Sequence, residues 1–145
     1  MKTRRWPEPR TVARAILAAA FFAAGVLHLL TPGPFLGITP AWVPWPAEVI
    51  RLTGVAELFG AVGLYVPRMR RAAGMGLALY AVCVFPANIK HAVDDLGAAQ
   101  PVLGWAYHGP RLLLQPVIVW ACLWASTAID WPCHHRLAKD RPNRP

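Results

Sequence analysis

Four stretches of roughly twenty mostly apolar residues dominate the sequence, at about 12–30, 47–66, 72–91 and 110–129. A helix rises about 1.5 Å per residue, so each stretch matches the ~30 Å hydrocarbon core of a bilayer. A soluble domain would need polar side chains to cover such segments. At 56% hydrophobic and 15% charged, this chain does not supply them. The sequence therefore reads as all-α, a four-helix transmembrane bundle in one membrane domain over residues 12–130. A basic leader at 1–11 and a basic tail at 131–145 flank it, with external loops at 31–46 and 92–109. Thr31-Pro32-Gly33-Pro34 ends the first block, because proline cannot continue a helix. No small-x-small cleavage site follows, which makes that block an uncleaved span rather than a signal peptide.

The net charge of +8 could point to nucleic acid, but its distribution points elsewhere. Lys2, Arg4, Arg5, Arg10 and Arg14 lead into the first block. Arg68, Arg70 and Arg71 follow the second, and Arg136, Lys139, Arg141 and Arg144 follow the fourth. These make up 12 of the 15 Lys and Arg, and four spans put all of them on one side. Asp94, Asp95 and Glu48 lie near the other side. Basic residues retained on the cytoplasmic face set orientation and contact anionic headgroups. The expected arrangement is N-in/C-in, multi-pass in the cell's inner (plasma) membrane, with lipid and no nucleic acid as partner.

The cysteines Cys83, Cys122 and Cys133 form no C-x-x-C pair and no disulfide framework. Cys133-His134-His135 resembles a ligand run, but adjacent residues do not converge easily on one ion, and no metal is expected. The connection TPGPFLGITPAWVPWPA carries no charge. Its Phe35, Trp42 and Trp45 suit the headgroup boundary, where it is expected to fold over the bundle.

Ionisable groups inside a bilayer cost about 2.5–3.5 kcal/mol each on insertion scales, so those retained call for an explanation. On the expected topology His28, Arg51, Asn88, Lys90, His91, Arg111 and Gln115 fall in the outer half. Glu57 lies deepest, roughly 13–15 Å from the start of its helix. Gly54, Glu57 and Gly60 recur every three residues, and a stripe of small residues admits a neighbouring helix, which turns Glu57 inward. Arg111, Gln115, Ile118 and Cys122 share a face at i, i+4, i+7 and i+11. Asn88 and His91 follow Pro86, whose missing N–H leaves a carbonyl one turn earlier for Asn88 to satisfy. Arg51 and Lys90 are expected to snorkel outward. A mid-depth carboxylate must be paired or protonated, and the expected partner of Glu57 is Arg111, in a buried ion pair. His28, Glu57, Asn88, Arg111 and Gln115 are then expected to surround one ligand pocket under the 31–47 connection.

At these residues the sequence resembles the DoxX-like family of small bacterial membrane proteins. The segments that carry the resemblance are GVLHLLTPGPF, PAWVPWP, TGVAELFGAVGLYVPRMRRAAGMGL, VFPANI and RLLLQP, between Gly25 and Trp120. The resemblance implies a four-helix membrane bundle. Some relatives are named as subunits of quinone-linked thiosulfate oxidation, and others associate with oxidative-stress enzymes. The chain departs from the pattern at IKHA, which puts Lys90 and His91 outside the implied site.

No redox dithiol, haem-binding histidine pair or nucleotide motif is visible, so no intrinsic cofactor and no independent catalytic activity are expected. The leading expectation is an accessory or anchoring subunit for a membrane-associated, quinone-linked redox enzyme, with a quinone as candidate ligand of an outward polar pocket. A homo-oligomer is left open. The alternatives are a small-molecule or lipid carrier, with Glu57 taking up and releasing a proton, and a purely structural bundle.

Overall fold

Proline marks where the helices begin. In the computed structural model, which describes residues 8–131, it stands in the first turn of the first three helices, where its missing N–H has no helical partner to lose. Those are α1 (Pro9–Leu30), α2 (Gly33–Ile38) and α3 (Pro46–Gly63), followed by α4 (Arg70–Leu96) and α5 (Gly104–Ala125). The described residues are all-helical with no strand. The Cys133-His134-His135 run and the outermost basic residues of both tails lie outside them.

The elements differ from the apolar blocks at their ends, for local reasons. The 31–47 connection contains the short α2, closed where the Thr39 hydroxyl donates to the Phe35 carbonyl at 2.8 Å. Helix α4 runs on through the polar KHAVDDL segment, where Lys90 and Asp94 pair at i, i+4. Helix α5 begins six residues early, because the Asp95 carboxylate accepts the Val102 and Gly104 amides at 3.0 and 2.9 Å and organises the turn before it. It ends at Ala125, with Thr127 in a left-handed conformation.

The four long helices form an antiparallel ring. Helix α1 packs chiefly on α3 and α4 on α5, while α3 on α4 and α1 on α5 close it. Arg10 pairs with Asp130 at 2.8 Å, and Arg14 donates to the Ala125 carbonyl, so the start of α1 and the end of α5 share one end. The Arg70 guanidinium donates to the Leu64 carbonyl at the same end. The half of the ring next to it is filled by Leu17, Phe21, Leu64, Leu77 and Cys122 with several alanines. The opposite half holds most of the buried polar side chains: Glu57, Asn88, His108 and Gln115.

Large apolar side chains face outward. Phe22, Phe59, Leu79 and Leu113, one from each long helix, are 50%, 71%, 65% and 75% exposed. Helices α1 and α4 are long and apolar enough to cross a membrane. Helix α3 carries Glu48, Arg51 and Glu57 within 18 residues, and α5 carries His108, Arg111 and Gln115.

One close approach governs the α1–α3 pair. A Cβ on Gly25 would lie 2.8 Å from the Gly54 carbonyl oxygen, and one on Gly54 would lie 2.9 Å from the His28 Cβ. Gly25→Val should therefore lower stability by about 1–3 kcal/mol, read as thermal unfolding in detergent. Gly76→Ala meets open space and should be neutral or stabilising. Equal effects of the two would show that the helices do not touch at Gly25.

Candidate functional site

The crossing of Gly25 and Gly54 explains how His28 and Glu57 meet. Each lies three residues beyond its glycine, on antiparallel helices, and helical side chains lean back toward their own N-terminus. Both therefore fold back over the crossing, where the glycines leave room. His28 Nδ1 lies 2.7 Å from Glu57 Oε2. Glu57 is only 2% exposed. The Tyr80 side chain on α4 lies near the same carboxylate. On its other side the His28 ring meets Phe35 of α2, with centroids 3.9 Å apart.

The expected ion pair of Glu57 with Arg111 is not formed. Among the described residues the partner of Glu57 is His28, and no carboxylate forms an ion pair with Arg111. The reason is geometric: the glycine crossing joins α1 to α3, whereas Arg111 sits on α5 and packs with α4. Its Nη2 donates to Asn88 Oδ1 at 2.7 Å and its Nη1 to His91 Nδ1 at 2.6 Å, with the Tyr107 ring 5.6 Å away.

Asn88 and Gln115 also depart from expectation. Gln115, not Asn88, serves the α4 backbone in the turn before Pro86, donating from Nε2 to the Ala81 carbonyl. Asn88 Nδ2 donates to Gln115 Oε1 at 3.0 Å. A carbonyl only accepts, so this chain has a fixed direction. Gln115 must turn its NH2 to Ala81 and its oxygen to Asn88, and Asn88 must turn its own oxygen to Arg111.

These groups border a cavity of about 290 Å³ between the helices and the 31–45 connection. His28, Asn88 and Arg111 line it together with Thr39 and Thr53. Glu57 and Gln115 do not; they stand behind His28 and Asn88 as their supports. The remaining wall is mainly apolar, including Ile50, Tyr80, Val84 and Ala87, and Phe35, Ile38, Pro40, Trp42 and Val43 form the roof. Lys90, expected to snorkel, instead holds this roof by donating to the Gly37 carbonyl at 3.1 Å. Arg51 makes no such link and does not line the cavity.

Beside the cavity, His108 is fully buried with Nε2 3.2 Å from Asp95, and its ring meets His91 edge-on at 4.9 Å. No cluster of three or more metal-ligating side chains occurs among the described residues. Sequence reasoning missed Tyr80 and His108, and it placed His91 outside the site. Helical spacing held the signal, since Tyr80, Asn88 and His91 share a face at i, i+8 and i+11, and His108, Arg111 and Gln115 at i, i+3 and i+7. His108 was passed over because it precedes the apolar block that marks its helix.

Double-mutant cycles separate the two networks. His28→Gln and Glu57→Gln should show a coupling of about 0.5–3 kcal/mol in detergent stability, whereas Glu57→Gln and Arg111→Gln should add. Additivity of the first pair would remove the contact on which the site is built.

The chain matches a family described as a domain of unknown function, DUF8561, over residues 17–126, and belongs to that family. That span takes in every side chain lining the cavity. No curated protein and no solved structure matches the chain.

Proposed function

We propose that this member of the DUF8561 family is a four-helix integral membrane protein that binds an amphiphile in the outer half of its bundle, on behalf of a membrane-bound redox enzyme. The ligand presents carbonyl or oxyanion oxygens to His28, Asn88 and Arg111 and lays an apolar body along Ile50, Val84 and Ala87. A quinone is the neutral candidate, and it links this reading to the DoxX-like resemblance.

The observation that carries the proposal is the sorting of side chains. The polar groups that weaken α3 and α5 as free-standing spans are largely turned inward, Glu57, His108 and Gln115 all being buried. Large apolar side chains face outward from all four long helices, which in water would be a liability and in lipid is the stable arrangement. At 18 residues α3 rises about 27 Å, enough for a hydrocarbon core that thins slightly around it. An apolar cavity with a few convergent polar groups is the usual form of a small-molecule site.

Orientation follows from the basic residues. Arg10, Arg14 and Arg70 gather at the end opposite the cavity, the end that retained positive charge keeps in the cytoplasm. The cavity then faces outward, and both termini lie inside. Reporter fusions after Arg71 and after Pro145 should score cytoplasmic, and one near Gly97 external. An external C-terminus would overturn the arrangement.

Ligand binding is tested with radiolabelled decylubiquinone on protein-loaded and empty zwitterionic nanodiscs. Saturable binding should appear only with protein, and should be lost in Ala87→Phe, which fills the cavity from α4. Signal that is unsaturable, or unaffected by Ala87→Phe, would count against the site.

A further inference from the structure

The cavity wall holds an arginine that the fold positions but does not neutralise. We infer that the ligand's head carries a full negative charge, so that the cavity selects a single-chain anionic amphiphile, with a carboxylate or comparable monoanion against Arg111. The inference rests on the proposed ligand site and narrows its ligand class.

A buried carboxylate and an arginine occur in the same half of this small bundle, and pairing them would be the cheapest way to bury both charges. The fold keeps them apart. Glu57 is committed to His28 at 2.7 Å, with Tyr80 beside it. Arg111 is held by uncharged acceptors instead. His91 Nδ1 receives the Arg111 Nη1 proton at 2.6 Å, so that nitrogen carries a lone pair, and Asn88 supplies an amide oxygen at 2.7 Å. The chain from the Ala81 carbonyl through Gln115 to Asn88 fixes which end of the Asn88 amide faces the guanidinium.

Two of the five guanidinium N–H groups are used by these acceptors, which leaves donors for a ligand. Arg111 lines the cavity, and the wall around it is mostly apolar. A cation fixed in a weakly polar cavity by neutral partners is preorganised for an anion, since the dipoles that hold it need not rearrange when the charge arrives. A neutral carbonyl would accept one of those hydrogen bonds but leave the charge uncompensated. A carboxylate accepts the same hydrogen bonds with both partners charged, and so neutralises the guanidinium as well. An apolar body of one chain suits a cavity of about 290 Å³.

The test compares three probes on the full chain in zwitterionic nanodiscs, with concentrations expressed per lipid. Dodecanoate, dodecanol and decylubiquinone compete against radiolabelled dodecanoate. Dodecanoate should bind saturably and about tenfold or more tightly than either neutral probe, the difference a charge-assisted contact supplies. Arg111→Gln should abolish that preference, and Arg111→Lys, which keeps the charge, should retain part of it. The variants are unnecessary for the central comparison, which is made on the wild-type protein. Dodecanol or decylubiquinone matching dodecanoate would overturn the anionic head and leave the ligand site standing. Absence of saturable binding by all three probes would remove the site itself.

Discussion

The bundle turns on the contact of α1 and α3 at Gly25 and Gly54. Because neither residue has a side chain, the two backbones approach closely enough for the Gly54 position to lie under His28. The antiparallel run of the helices then brings His28 and Glu57 together over the gap. Everything in the polar half follows from that. With Glu57 satisfied locally, Arg111 is released from it, and His28, fixed on one side, packs its ring at a tilt against Phe35 of the roof. A bulkier residue at either glycine would push the helices apart and leave a deep carboxylate without a partner, a costly state in weakly polar surroundings.

Much of the fold was legible because it depends on periodicity and punctuation. Apolar blocks located the four long helices, Thr31-Pro32 ended the first, and the glycine stripe turned Glu57 inward. Helix ends were less legible where long-range hydrogen bonds set them: Asp95 reaches across seven to nine residues to start α5, and no local pattern encodes that reach. The members of the polar half could be named from depth and chemistry, but their pairing could not. Depth along a helix says nothing of which neighbour a side chain faces, and Glu57 and Arg111 sit on helices that meet different partners. The glycine at 25 held the missing information, since a second small residue on α1 opposite the α3 stripe identifies the pair of helices in closest contact.

The two polar networks differ in kind. His28, Glu57 and Tyr80 form a compact group around one carboxylate. The other network is a directed line that starts at a backbone carbonyl and ends at a guanidinium, each amide oriented by the one behind it. Pro86 lies within α4 about one turn beyond Ala81, whose carbonyl is where Gln115 of the neighbouring helix takes hold. Helix α4 thus anchors the far end of the line that aims Asn88 at Arg111.

The helices that carry most of the buried polar groups are also those not apolar enough, by length and composition, to count as membrane spans. Helices α1 and α4 are long and apolar enough to cross a membrane, whereas α3 brings Glu57 and α5 brings Arg111 and Gln115. Each weaker helix lies against a stronger one, α3 on α1 and α5 on α4. The contact within each pair is also where its polar groups are satisfied: Glu57 by His28 of α1, and Arg111 and Gln115 by Asn88 of α4. In the proposed membrane setting, each pair therefore hides its own charged or amide groups before the two pairs meet. The cavity is then what remains between two hairpins that are each already satisfied, walled by both and closed by the connection that leaves α1. Arg111 lines that space with only neutral acceptors, Asn88 and His91, against its guanidinium.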